Sequence, residues 1–207
     1  MPIKGSATVL SPVSVRLTHL KEELVAHDTG ASRTPVREAL RRLNAEQLVV
    51  FEPNRSAYVT SWSLEDVEEI YTLRTVLEGQ AAFQAATRIA KNKITILVEC
   101  TYRIDQLLID AHDRQSIKIF EANHRFHNTI LEASHSERLS KMLSWLVEIP
   151  MTLQTFEKYS DRDFERSNHH HRELIDTFRS RDPHWAQKVM ETHLSAAQRL
   201  FAFRRTE

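Results

Sequence analysis

The segment Ser32-Arg33-Thr34-Pro35-Val36-Arg37-Glu38-Ala39-Leu40-Arg41-Arg42-Leu43 joins capping, periodicity and charge in one run. Thr34 is expected to cap a helix with its side-chain oxygen, which puts Pro35 at the first helical position, where a missing N–H costs nothing. Val36, Ala39, Leu40 and Leu43 recur at i, i+3, i+4 and i+7 as one apolar stripe, while Arg37, Arg41 and Asn44 fall on another face with Arg33 just ahead. One side packs and the other reaches outward. Residues 31–45 hold four Arg and one Glu, a local charge of +3 in a chain whose formal net charge is zero. That face asks for an anionic partner.

Upstream, Leu17, Leu20, Leu24, Val25 and Ala26 predict a helix from about Leu17 to Asp28-Thr29-Gly30, where Gly30 can take the left-handed conformation that ends a helix. Downstream, Leu48-Val49-Val50-Phe51-Glu52 and Ala57-Tyr58-Val59-Thr60 flank the turn cluster Pro53-Asn54-Arg55-Ser56, a strand, turn and strand. The order is helix, tight Gly-containing turn, helix and hairpin, a helix-turn-helix with a wing. Residues 1–15, with Pro2, Gly5 and Pro12, show little periodicity and are expected to form an irregular arm.

After Ser61-Trp62-Ser63 the pattern changes to helical periodicity. Ser63 followed by Asp66 resembles a capping box, and Asp182-Pro183 is a cap-plus-proline start. Helices are expected near 63–90, 94–112, 115–134, 136–158, 163–180 and 183–204, the fourth kinked or broken at Pro150. The fold class is therefore mainly α. Residues 1–61 form a winged helix-turn-helix with two short strands, and residues 62–207 an antiparallel all-α bundle.

The 207 residues are 41% apolar and 27% charged with only 3 Gly and 6 Pro, a helix-rich composition. Lone Cys100 excludes an intramolecular disulfide and any cysteine-based zinc site. No apolar run approaches the roughly 18 residues of a membrane span, and no signal-peptide pattern opens the chain, so a cytoplasmic location is expected. Residues 1–60 carry eight Lys and Arg against six Asp and Glu, and the remainder is net acidic by the same margin.

Eleven His stand out in this composition. Asn123 and His127 lie four apart and face the same way beside Phe126, while His171 and His193 border apolar stripes on two later helices. Three imidazoles and an amide oxygen from three helices suit a divalent transition metal, zinc foremost, with nickel or iron as alternatives. Ordinary packed histidines would give the same spacing. His124, His169 and His170 neighbour these positions but face differently, and Trp145 and Trp185 are expected to pack.

The Ser32 to Leu40 run, with Leu48-Val49 and Pro53-Asn54-Arg55, resembles the winged helix of GntR-family bacterial transcription regulators. Leu73-Arg74-Thr75-Val76-Leu77-Glu78, Phe126-His127, His171 with Leu174 and Ile175, and Met190 through Leu194 resemble the FCD ligand-binding domain of the FadR subfamily. The resemblance implies a homodimer on double-stranded operator DNA, with Arg33, Thr34 and Arg37 at the family's contact positions. Arg41 joins them by its face, and Ser32 and the wing's Arg55 suit phosphates; Ser56 stands at the wing tip where Gly is usual. The family's winged helix also has a further helix and a Pro-Gly turn ahead of the point matching His19-Leu20, and residues 1–16 are expected to be too short and irregular to supply them fully. His127, His171 and His193 match the metal-binding His, and Asn123 stands at the Asp position. With only neutral ligands the ion would attract an anion, so a small carboxylate effector is expected. Arg74 could clamp that carboxylate or pair with Glu78 four residues on. The rival class is a metal-dependent hydrolase or lyase, which needs a general base that no Glu or Asp placement nominates. In a third reading, an interaction module, the histidines are only structural.

Overall fold

A computed structural model describes residues 19–45, 49–51, 57–59, 63–109, 116–146, 156 and 159–203. The chain divides into two compact units, Met1–Ser63 and Leu64–Glu207.

In the first unit, strand β1 (His19–Leu20) leads into α1 (Glu22–Thr29) and α2 (Arg33–Ala45), followed by β2 (Val49–Phe51) and β3 (Ala57–Val59). The sheet is antiparallel with β3 in the middle, pairing His19 with Tyr58 on one side and Val50 with Tyr58 on the other. The expected helix from Leu17 is corrected here, because His19 and Leu20 are drawn into the sheet and α1 starts only at Glu22. A third strand thus joins the two that were expected. Gly30 closes α1 at φ 67°, the left-handed cap foreseen for it.

Helix α2 begins at Arg33, so Thr34 lies inside its first turn and not at its cap. Pro35 is the third helical residue, still among the N–H groups that have no partner within a helix. Val36 and Leu40 are buried with Val49 and Ala57, and Leu20, Val25, Ala26 and Leu43 pack around them. Asn44 is exposed as expected, and its side-chain amide also donates to the Val49 carbonyl at 2.6 Å, tying α2 to β2. Arg55 and Ser56 of the wing, and residues 1–18, lie outside the described residues.

The second unit is all helix: α3 (Leu64–Arg88), α4 (Lys91–Ile109), α5 (Ser116–Ala133), α6 (Glu137–Leu146), α7 (Asp161–Ser180) and α8 (Pro183–Phe203). Two starts are fixed by local chemistry. Ser160 and Asp163 form a reciprocal capping box ahead of α7, and Asp182 accepts from the Trp185 N–H at 3.0 Å ahead of α8. The expected helix 136–158 is represented by α6, and Pro150 lies outside the described residues. Trp145, expected to pack, instead stands 83% exposed.

Along α3, Ala81, Ala82, Ala85 and Ala86 are buried, and these small side chains let α8 approach closely. A Cβ at Gly79 would meet Glu191 Cγ at 3.2 Å. Phe126 from α5, Leu174 and Phe178 from α7, and Met190 and Leu194 from α8 complete the core. Among the described residues, no helix is long and apolar enough to cross a membrane.

Candidate functional site

On α2, Arg33, Arg37 and Arg41 follow at i, i+4 and i+8, and all three are exposed, as are Ser32 and Thr34. Two of them meet acids from the start of α1. Arg33 Nη2 lies 2.9 Å from Glu23 Oε1. Arg37 Nε donates to both oxygens of Glu22 at 3.0 and 3.1 Å, and its Nη2 donates to Oε2 at 2.8 Å. That hydrogen bond, more than the Arg37 charge, holds the Glu22 carboxyl below its usual range. The arginine face is thus partly neutralised by its own neighbour helix.

In the helical unit, α5 places Asn123 and His127 one turn apart, α7 contributes His171 and α8 contributes His193. One nitrogen from each of the three His lies within 4.8 Å of the others. That is close to the span that ligands about 2.1 Å from a single ion can cover. His171 is 1% exposed and His193 6%. Phe126, itself fully buried, stacks on the His171 ring at 4.2 Å between centroids.

Hydrogen bonding assigns the ring nitrogens. His127 Nδ1 lies 2.7 Å from Glu78 Oε2, and because an ionised carboxylate only accepts, Nδ1 carries the proton. His171 Nδ1 faces Asn168 Oδ1 at 3.4 Å, while the Asn168 amide donates to the Thr101 carbonyl at 3.0 Å and to Asp105 Oδ1 at 2.7 Å. Among the described residues, His127 Nε2, His170 Nδ1, His171 Nε2 and His193 Nδ1 are buried without hydrogen-bond partners. Orphaned buried nitrogens are rare in folded proteins, and one on each of the three clustered rings calls for a shared partner. A divalent metal meets that need, and the carboxylate behind His127 is the outer support commonly found at such centres.

The electrostatics agree. Burial pushes His171 well below its ordinary pKa, and the neighbouring His127 adds to the shift. Burial also depresses His193, helped by His171 and His127. Both rings are therefore neutral near pH 7, the form that ligates metal. For Glu78, burial works to raise the pKa, yet the charge of Arg74 and then the His127 contact outweigh it and hold the carboxyl well below the usual range. Arg74 is equally buried and donates from Nε to Glu78 Oε1 at 2.8 Å.

Beside the cluster lies a cavity of about 330 Å³ whose wall includes Arg74, Glu78, Asn123, His124 and His127. Asn123 and Arg74 thus share one space with His127. The ion-pair reading of Arg74 is realised, and the residue also lines the cavity. Glu78 was the participant that spacing did not reveal, although its place four residues after Arg74 marked it as a partner. Asn168, three residues before His171 on the same helical face, carried a similar signal.

Residues 69–196 match the FCD domain, and residues 16–59 match bacterial regulatory proteins of the gntR family. The HTH-type transcriptional regulator YdhC of Bacillus subtilis is 23% identical over 85% of this chain and 78% of its own length. The gluconate operon transcriptional repressor of the same species is 29% identical, over 80% of this chain and 68% of the repressor. Among solved structures, E. coli McbR/YncC superposes with a TM-score of 0.77, covering 91% of this chain and 88% of its own at 19% identity, a likeness of fold.

Proposed function

The chain belongs to the gntR family of bacterial regulatory proteins, carries an FCD domain and is a DNA-binding transcriptional regulator; we propose that a small carboxylate effector controls it through a metal in the helical unit. The observation that carries this reading is the clustering of three imidazoles, each with a buried nitrogen that has no partner of its own. His127, His171 and His193 would hold the ion, with Asn123 as an oxygen donor. Zinc is the first expectation, and imidazole suits nickel and iron as well.

Charge leads from the metal to the effector. Three neutral rings and a neutral amide leave the ion's charge uncompensated, because the Glu78 carboxylate is already matched by Arg74. A bound metal supplies a Lewis-acidic position that an anion can complete. The cavity beside Asn123 and His127 has room for a small acid, and the relative named for a gluconate operon points to sugar acids as one class to examine. Arg74 assists from the cavity wall with the guanidinium nitrogens that Glu78 does not engage. The enzymatic alternative gains little from Glu78, because Arg74 and His127 hold its carboxyl well below the usual range and leave it a weak base.

For DNA, Arg33 and Arg37 are the base-reading candidates on α2, with Arg41 beside them, while Ser32, Thr34, Arg55 and Ser56 suit backbone contacts. A homodimer would set two such helices on a palindromic operator, and effector binding would favour one dimer arrangement over another. Calorimetry with gluconate, other sugar acids and dicarboxylates tests the effector reading on zinc-loaded and chelator-treated protein. Binding is expected only to the loaded form. An acid that binds equally well after chelation contradicts the metal-bridged receptor.

A further inference from the structure

Arg37 is held by Glu22 in a fork, with Nε and Nη2 on the two carboxylate oxygens at 2.8 to 3.1 Å. The neighbouring pair differs. Arg33 and Glu23 meet through a single contact of 2.9 Å with side chains 67% and 68% exposed, an arrangement open to solvent and weakly directional. In the Arg37 pair the acid is the more covered partner, at 29% exposed against 55% for the arginine. Glu22 is thus the less exposed partner, while Arg37 keeps more than half of its side-chain surface open to solvent.

A guanidinium has two edges that can make paired hydrogen bonds, one through Nε and Nη2 and one through Nη1 and Nη2. We propose that Glu22 is a positioning residue for operator recognition: by clasping the Nε edge of Arg37, it presents the Nη1 end to a guanine in a fixed orientation. The inference rests on the reading that Arg37 contacts DNA. Orientation set in advance spares the long side chain part of the ordering cost on binding. The carboxylate also repels phosphates, so a guanidinium lying loosely along the backbone is penalised while one docked on a base edge is not. Glu22 thereby sharpens the difference between operator and other DNA.

The test uses the full-length protein, a duplex enriched from a random-sequence pool by the native chain, and a scrambled duplex. Glu22→Gln keeps the size of the side chain but replaces one accepting oxygen by an NH2 group, which breaks the fork. It is expected to bind the enriched duplex less tightly and the scrambled duplex more tightly, so that their affinity ratio falls roughly tenfold, the low end of what one bidentate base contact discriminates. Glu23→Gln removes the same charge and should strengthen both affinities alike with the ratio unchanged. If Glu22→Gln behaves as Glu23→Gln does, the acid is a mere charge and the inference is overturned. A parallel loss on both duplexes with a lowered unfolding midpoint would assign Glu22 to the fold and overturn it as well. Arg37→Ala separates the premise: unchanged affinity for the enriched duplex would remove Arg37 from the DNA contacts, whatever Glu22 does.

Discussion

Glu78 joins two functions at the scale of single residues, because one oxygen accepts from Arg74 and the other from His127. Both members of the ion pair are buried, so removing one strands the other in a medium that solvates it poorly. Glu78→Ala is expected to destabilise the metal-free helical unit by about 3–5 kcal/mol in chemical denaturation. Replacing the pair together, Arg74→Met with Glu78→Leu, should recover much of that loss, since no uncompensated charge then remains. The histidines themselves were legible in the sequence: Asn123 and His127 share a face at four-residue spacing, and each of the others borders an apolar stripe. The Arg74–Glu78 pair was legible by its spacing, but the contact of Glu78 with His127 was not, because it joins residues 49 apart. The clasp of Glu22 on Arg37 escaped notice for the same reason, as nothing in the run from Ser32 to Leu43 refers back to α1.

Element boundaries divide along the same line between local and distant causes. The start of α8 was readable because Asp182 and Pro183 act within one turn, and Asp182→Ala should cost about 1 kcal/mol of stability through the lost Trp185 N–H acceptor, measured as a lowered denaturation midpoint. The Gly30 cap was readable for the same reason. Strand β1 was not. Two residues carry no period, and His19 and Leu20 are extended only because Tyr58 and Ala57 lie some forty positions downstream to pair with them. Asn44 keeps the exposed face that helical spacing assigns it, but its bond to the Val49 carbonyl depends on where the next strand begins and was not readable. Trp145 reads as core by chemistry alone, yet it sits on the exposed side of α6.

For the whole molecule, the architecture was legible in outline, since a strand-period hairpin after a capped basic helix gives way to long helical periods. Protonation then links the buried site to overall stability. Unfolded, an imidazole titrates near 6.5, whereas burial holds His171 and His193 well below that value in the folded chain. Below pH 6.5 the unfolded chain therefore binds more protons than the folded one. The sign follows: stability from these two groups is intact above that pH and is lost progressively as the pH falls through it, until the folded rings protonate too. Thermal unfolding of chelator-treated protein between about pH 8 and pH 5 should show the midpoint falling on the acid side. Bound metal competes with those protons for the same nitrogens, so the loaded protein should hold its midpoint to lower pH.

The claim on which the effector and its charge complementarity both depend is that His127, His171 and His193 share one ion. Zinc titration of the chelator-treated protein, followed by calorimetry and by the shift in unfolding temperature, tests it most directly. The native chain is expected to bind one ion per protomer and to unfold at a higher temperature as a result, while His171→Gln and His193→Gln lose both effects and keep their helical circular dichroism. A native chain that takes up no zinc, nickel or iron, or variants that bind as the native chain does, would contradict the account.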